Sequence, residues 1–314
     1  MLSRVADALY WIGRYSERIE TNAYITTTQL EHTLEYNVND ELKELEWKAI
    51  IKICGYYDEY KKLYPTYNVD DCIYYLLFDR SNLNSIESLV ESVRFNLKNA
   101  RDIIPNMLWE TWHDIHLTVQ SFSQHAVSMM EISAFLNEIR LLCLTTTGIV
   151  ESLMTRDESY MFLKIGKWLE RSEKTAIITK KILEQTKEYN STFASNYALL
   201  LTNSLEDFNR RFRIDASVDT LQYLIADQKC TRSVYYGIKK IHGTIVELQD
   251  GTYKTYTDEL FKHLYDLKRL LKKDYTSNSI DEKLKWLIDI QQKCIALGPI
   301  FTKTYYLTKP ILAH

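Results

Sequence analysis

The chain has 314 residues, of which 26% are charged, and its formal net charge is −3 at pH 7. Acidic and basic residues alternate along the sequence, which gives no electrostatic case for nucleic acid or an anionic membrane as a partner. Only 8 glycines and 4 prolines are present, so there is little turn chemistry for many short strands. This composition favours long helices with few breaks.

The N-terminal segment lacks the features of a secretory signal peptide. MLSRVADALYWIGRYSER has no unbroken apolar stretch and no small-residue cleavage site, and no uncharged run in the chain reaches about 18 residues. The five cysteines are scattered without a CxxC pair, as expected of reduced, mostly buried thiols. We therefore expect a cytoplasmic protein with no membrane span.

Several segments recur later in the sequence in the same order. The first pair is separated by 153 residues and the other two pairs by 148 residues. Such self-similarity is typical of an internal duplication. The matching pairs are residues 12–20 with 165–173, 58–62 with 206–210, and 75–85 with 223–233.

The sequence predicts an all-α helical bundle made of two pseudo-symmetric copies of one multi-helix unit, at residues 1–153 and 154–314. No linker rich in Pro, Gly or Ser separates the copies, so we expect them to pack as one compact body. In chain order, we predict helices near residues 1–35, 41–62, 69–78, 84–101, 105–122 and 127–154, and then near 157–188, 192–213, 217–226, 231–248, 257–274 and 280–307.

The first predicted helix carries carboxylates on its apolar face. At about 100° per residue, Glu20 falls in the middle of that face and Glu17 at its edge, while Arg14 and Arg18 lie toward the other side. The corresponding helix of the second copy places Glu173 at the centre of its apolar face. A buried carboxylate is costly unless it is paired or hydrogen-bonded, so both positions need an explanation.

Each of these two helices also contains a glycine in its interior. A mid-helix glycine costs about 1 kcal/mol relative to alanine and is useful where two backbones approach closely. Our hypothesis is that the helices cross near Gly13 and Gly166 about a pseudo-twofold axis. Their charged residues would then form one central polar cluster of Arg14, Glu17, Arg18, Glu20, Lys167, Glu170, Arg171 and Glu173.

Three interpretations of this cluster remain open. It is a buried salt-bridge network that fixes helix register, a binding or catalytic site, or a set of surface pairs between residues three or four apart.

The same segments resemble the alpha-E family, bacterial helical proteins named for a Glu-Arg motif. The resemblance rests on MLSRVADALYWIGRYSERIE, WLERSEKTA and the YLLFD and YLIAD segments, and it extends over the whole chain. The sequence departs from the family pattern at Ser16, Lys167 and residues 105–107. The family's motif residues correspond here to Arg14, Glu17, Arg18, Glu20, Glu170, Arg171 and Glu173, and in a second block to Asp79, Ser85, Asp227, Arg232 and Ser233.

This resemblance implies a role in making or remodelling an amide-linked peptide, because family members typically occur alongside a circularly permuted ATP-grasp ligase and a transglutaminase-like protein. The leading interpretation is an accessory or co-catalytic partner of an ATP-grasp amide ligase. Its carboxylates would hold an amine and its arginines a carboxylate or phosphate. One alternative is a stand-alone amide-forming or amide-cleaving enzyme that uses a buried glutamate as general base. Another is a structural helical scaffold.

No cofactor or metal is expected. The glycines are not clustered ahead of a helix, so there is no phosphate-binding loop and we do not expect the chain to bind ATP by itself. Glu110 and His113 form the one ExxH motif, where a di-iron bundle needs two. His113 and His116 share one helix, which is a weak indication of a metal site.

Overall fold

A computed structural model of the chain describes residues 2–35, 40–122, 128–189, 194–212, 219–252 and 254–306. These residues form fourteen α-helices and one short 3₁₀ helix, and no strand occurs among them. The prediction of an all-α fold is therefore confirmed. Within the same ranges, no helix combines the length and the apolar character needed to cross a membrane.

The α-helices differ widely in length, from 7 residues in the shortest to 33 residues in the longest. A 3₁₀ turn at Thr255–Thr257 leads directly into the thirteenth helix. In chain order the α-helices are α1 (Ser3–Glu35), α2 (Asp40–Cys54), α3 (Tyr57–Leu63), α4 (Val69–Leu77), α5 (Ile86–Asn99), α6 (Asn106–Phe122), α7 (Met129–Leu153), α8 (Glu158–Tyr189), α9 (Ala194–Leu201), α10 (Leu205–Phe212), α11 (Thr220–Ala226), α12 (Val234–Leu248), α13 (Asp258–Leu271) and α14 (Ile280–Tyr306).

Two predicted helices are each divided in the structure. The predicted helix near 41–62 breaks between Cys54 and Tyr57, where Gly55 lowers helix propensity and Tyr56 adopts an extended conformation. The predicted helix near 192–213 is described over residues 194–212 and breaks after Leu201. Asn203 lies in that break with φ 53°, a left-handed conformation that asparagine tolerates better than most residues.

Helix starts follow the expected capping chemistry. The Ser128 hydroxyl accepts a hydrogen bond from the Glu131 amide, and the Glu131 carboxylate accepts one from the Ser128 amide, which completes a capping box on α7. The same reciprocal bonds join Ser279 and Glu282 at the start of α14. These caps satisfy backbone N–H groups that have no partner within the helix.

The residues group into two compact units. The larger unit contains residues 1–14, 155–199 and 204–314, and the smaller unit contains residues 15–154 and 200–203. Helix α1 is continuous from Ser3 to Glu35, so it contributes its first residues to the larger unit and the remainder to the smaller one.

Each unit contains a helix that packs against two others. In the larger unit, α8 packs against α12 and α14, while α13 packs against both α12 and α14. In the smaller unit, α6 packs against α5 and α7, and α4 packs against α2 and α5. All five cysteines are free and buried, as predicted.

Helices α1 and α8 meet backbone to backbone in the larger unit. A Cβ atom on Gly13 would lie 2.1 Å from the Leu163 carbonyl oxygen and 3.0 Å from the Lys167 nitrogen. A Cβ atom on Gly166 would lie 2.1 Å from the Tyr10 carbonyl oxygen. The predicted close approach of the two helices at Gly13 and Gly166 is thus confirmed, and it leaves no room for any side chain at either position.

We predict opposite effects of alanine at two kinds of mid-helix glycine. Gly13→Ala should lower the free energy of unfolding by about 3 kcal/mol or more, because the new methyl group meets rigid backbone on α8. Gly243→Ala in α12 should raise it by about 0.5–1 kcal/mol, because nothing lies within 4 Å of the added Cβ. Urea unfolding measures both, and equal effects of the two changes would contradict the helix crossing.

Candidate functional site

The Arg14 guanidinium joins α1 to α8 beside the glycine crossing. Its Nε donates to Glu170 Oε2 at 2.6 Å and its Nη2 to Glu173 Oε2 at 2.6 Å. The exposed fractions of the three side chains are 8%, 4% and 13%. Charge-assisted bonds of this length between buried groups are among the strongest polar interactions in proteins, and here one cation is shared by two carboxylates.

Residues of α1 and α14 complete the surroundings of this ion pair. Tyr10 precedes Arg14 by one helical turn, and its hydroxyl accepts a hydrogen bond from Arg14 Nη1 at 3.1 Å. Gly298 on α14 faces the same atoms, since a Cβ there would lie 3.3 Å from the Tyr10 hydroxyl and 3.6 Å from Arg14 Nη1. Burial and the charge of Glu173 raise the pKa of the Cys294 thiol, which keeps this thiol protonated.

One part of the helical-wheel prediction is wrong. Arg14 was placed toward the polar side of α1, yet it is buried. The reason is the close crossing, which brings α8 over a position that would face solvent on a single helix. The prediction that Glu173 needs a partner is met by this same arginine, which also pairs with Glu170.

The other charged residues of the predicted cluster lie in two places. In the larger unit, Lys167 and Arg171 are half-buried, and the Arg171 guanidinium lies 5.0 Å from the centre of the Trp168 ring. In the smaller unit, Arg18 donates from Nη1 to Asn84 Oδ1 at 2.8 Å. The gathering of all eight charged side chains into one cluster stays a prediction.

Two buried glutamates of α1 lie on the side of α7. Burial raises the pKa of the Cys143 thiol, and the charges of Glu20 and Glu17 raise it further. Glu17 and Glu20 are 2% and 3% exposed. Cys143 and Cys294 therefore both sit near motif glutamates, and neither thiol has the lowered pKa that a nucleophile needs.

The second block of motif residues shapes the loop before α5. Asp79 Oδ1 accepts from the Ser81 amide at 2.8 Å, and Asp79 Oδ2 accepts from the Tyr64 hydroxyl at 2.7 Å. Six residues after Asp79, Ser85 is fully buried and caps α5 by accepting from the Ser88 amide at 3.2 Å. Asp79 thus stabilises the loop before α5, and Ser85 caps the first turn of that helix.

The same arrangement recurs 148 residues later, before α12. Asp227 Oδ1 accepts from the Lys229 amide at 2.8 Å, and Arg211 donates to Asp227 Oδ2 at 2.7 Å. Ser233 caps α12 by accepting from the Tyr236 amide at 3.1 Å.

Each motif helix is tied to one of these loops through a backbone carbonyl. Asn22 on α1 donates to the Asn84 carbonyl at 3.4 Å. Thr175 on α8 donates to the Arg232 carbonyl at 2.8 Å. Since Asn84 and Arg232 directly precede the two capping serines, the Glu-Arg segments lie beside the N-termini of α5 and α12.

Sequence reasoning missed several of these residues. The single indication for Tyr10 was its position one turn before Arg14 on the same helix. Asn22 and Thr175 are 153 residues apart, the offset predicted for the repeat, but their different side chains conceal that both donate to a loop carbonyl.

We predict a large loss of stability when the shared cation is removed. Arg14→Gln should lower the free energy of unfolding by about 3–5 kcal/mol, because two carboxylates are left buried without it. Adding Glu170→Gln should restore part of the loss. The control is Arg80→Gln, which breaks an ion pair with Glu87 on a side chain that is 78% exposed, and should change stability little. Equal losses of stability from Arg14→Gln and Arg80→Gln would show that the fork, by which we mean Arg14 with Glu170 and Glu173, does not hold α1 against α8.

We predict that the effect of Asp227→Asn depends on pH. Burial opposes ionisation, but hydrogen bonds from Arg211 and from backbone amides outweigh it and lower the pKa of Asp227. Because the pKa of Asp227 is lower in the folded chain than in the unfolded chain, its ionised carboxylate stabilises the fold at pH values above the ordinary aspartate pKa. This stabilisation is lost as the pH falls through the pKa of the folded state. The variant should be less stable than wild type at pH 7 and approach it in acid. Thermal melts measure this, with exposed Asp102→Asn as control; a pH-independent difference would contradict it.

Comparison with known proteins gives the family. The model of Alpha-E, a predicted alpha-helical domain with a conserved ER motif, matches residues 1–306. Uncharacterised proteins of Mycobacterium bovis and Mycobacterium tuberculosis are each 24% identical over 263 residues, which is 78% of this chain and 30% of theirs. The chain thus spans less than a third of the length of these relatives. No solved structure matches. The chain belongs to the Alpha-E family.

Proposed function

We propose that this chain is an accessory or co-catalytic partner of an ATP-grasp amide or peptide ligase, and that it binds the ligase or its peptide-like substrate beside the Glu-Arg helices. The family resemblance supports this choice of partner, and it also suggests a transglutaminase-like protein as a second partner. The mycobacterial relatives add support, because the matched stretch takes up 30% of their length and is joined there to other sequence. A domain of that kind typically works with the rest of its polypeptide.

The observation that carries the proposal is the position of the motif arginines at a helix start. Arg232 directly precedes the capping Ser233, and Arg171 lies one turn before Thr175, which bonds to the Arg232 carbonyl. Both arginines are half-buried. A helix N-terminus favours negative charge, and guanidinium groups bind carboxylates and phosphates in a bidentate manner. This end of α12 therefore suits a carboxylate of the ligase or of a peptide-like substrate.

A second candidate is a structural scaffold, and the buried Arg14 fork favours it. Arg14 is paired with both Glu170 and Glu173 inside the larger unit. In this interpretation the conserved chemistry of the motif serves helix register alone. The two candidates differ in what the half-buried arginines do.

We also propose that the chain consists of two copies of one helical unit, at residues 1–153 and 154–314. The contacts of Gly13 and Gly166 are reciprocal, since each approaches the carbonyl three residues before the other. The capping loops at Ser85 and Ser233 use matching hydrogen bonds at an offset of 148 residues. Both observations support a duplication.

The test is recovery of partners with the tagged full-length chain from its source cell, followed by mass spectrometry. We expect an ATP-grasp ligase with the wild type and about tenfold less with Arg171→Gln/Arg232→Gln, whose circular dichroism should stay native. The matched control, Lys262→Gln/Lys285→Gln, removes the same charge from two exposed sites and should recover the ligase normally.

Three outcomes would overturn the proposal. If cross-linked cells yield no ATP-grasp protein with the wild type, the partnership is wrong. If the double arginine variant loses stability and nothing else, the scaffold is favoured. If the purified chain alone forms or cleaves an amide, it is an enzyme in its own right.

A further inference from the structure

Three lysines surround two tyrosine rings in the smaller unit. Lys52 Nζ and Lys61 Nζ lie 4.9 Å and 5.5 Å from the centre of the Tyr57 ring, and Lys48 Nζ lies 5.8 Å from the centre of the Tyr67 ring. The two rings are nearly parallel, at 5°, with centroids 6.3 Å apart. We call these five residues of α2, α3 and the following loop the lysine–tyrosine patch.

The three ammonium groups of the patch are not neutralised by carboxylates. Across the described ranges, no carboxylate oxygen lies within ion-pair distance of Lys48, Lys52 or Lys61. Two nearby acidic side chains are bonded elsewhere: Glu59 accepts from Lys62 at 2.6 Å, and Asp71 accepts from Asn68 at 2.6 Å. Three like charges gathered without a counterion attract an anion.

The Tyr57 hydroxyl lies in the positive potential of the three lysines. A hydrogen bond from Tyr67 lowers the pKa of the Tyr57 hydroxyl, and Lys48, Lys52 and Lys61 lower it further against the opposing effect of burial. The field of the three lysines is therefore concentrated at one surface oxygen.

The patch adjoins an aromatic cluster, and Tyr67 joins this cluster by stacking on Tyr60 with ring centroids 5.1 Å apart. Tyr60, Tyr64 and Tyr75 form an aromatic triad beneath the patch, with ring centroids 4.8, 5.0 and 5.8 Å apart. A second triad stands 148 residues later with centroids 5.1, 5.0 and 5.7 Å apart. It consists of Phe208, Phe212 and Tyr223.

The second triad is built without a single patch residue. At the same offset of 148 residues, the three lysines and Tyr57 correspond to asparagine or leucine, and Tyr67 corresponds to Asp215. A triad of this kind therefore forms without the three lysines. The counterparts of Lys48, Lys52, Tyr57 and Lys61 are Asn196, Leu200, Leu205 and Asn209.

We propose that the lysine–tyrosine patch binds the phosphate chain of a polyphosphate anion, supplied by a nucleoside triphosphate or by inorganic polyphosphate. Lysine ammonium groups act as compact point charges that suit tetrahedral phosphates, whereas planar carboxylate recognition favours arginine. Three such groups match an anion of several charges better than a single carboxylate. The lysine ammonium groups already lie over the tyrosine rings, so a nucleotide base cannot stack there. The patch therefore recognises the phosphates of the ligand and not its base.

This binding mode differs from a glycine-rich phosphate loop, which the sequence lacks. It is also independent of the proposed ligase partnership, because it concerns other residues and is tested on the isolated chain.

The test is isothermal titration calorimetry of the full chain with sodium tripolyphosphate, and separately with ATP, at low salt. We expect one saturable site, similar affinities for the two anions, and weaker binding as salt is added. The variant Lys48→Gln/Lys52→Gln/Lys61→Gln should bind at least about tenfold more weakly. The control Lys98→Gln/Lys262→Gln/Lys285→Gln removes three exposed charges elsewhere and should bind like the wild type.

A second measurement locates the ligand. Tripolyphosphate should raise the pKa of Tyr57 by offsetting the lysine charges, which appears in the ultraviolet titration of wild type minus Tyr57→Phe. If both triple variants lose the same amount of affinity, binding depends only on net charge and the proposal is wrong. ATP binding without tripolyphosphate binding would also overturn it, as would binding of hexaglutamate in place of both, which would indicate docking of an acidic protein segment.

Discussion

The close backbone contact between α1 and α8 is the constraint on which the motif geometry depends. With no side chain at Gly13 or Gly166, the two helices approach until one backbone touches the other. At that separation Arg14, the residue after Gly13, spans from α1 to Glu170 and Glu173 on α8. If the helices lay farther apart, the guanidinium could not reach these carboxylates. A buried carboxylate without a cation is strongly destabilising.

The structure uses two kinds of cation for two purposes. Arg14 presents a rigid planar fork whose donors are shared between two buried carboxylates and a tyrosine hydroxyl. Lys48, Lys52 and Lys61 carry flexible point charges at a surface, around aromatic rings and without a carboxylate. The first arrangement is already paired with carboxylates, whereas the second is the proposed anion site. The difference follows from the chemistry of guanidinium and ammonium groups.

Sequence reasoning succeeded where one helix could be considered by itself. The helical class and the importance of Gly13 and Gly166 follow from periodicity and from the cost of glycine inside a helix. The burial of Arg14 did not, because it depends on a second helix passing over that position. The breaks at Gly55 and Asn203 were missed since each rests on one residue. The lysine–tyrosine patch was also missed, because its members come from two helices and a loop.

Helix α1 has a consequence for where this chain can be divided. The proposed repeat boundary falls at residue 153, but residues 1–14 belong to the larger unit with the segment that begins at residue 155. A gene cut at the repeat boundary would encode a second half with Glu170 and Glu173 but without Arg14. Fission or shuffling of the two halves in evolution would therefore separate an ion pair, whereas a fragment beginning at residue 155 and supplied with the N-terminal peptide in trans would restore it.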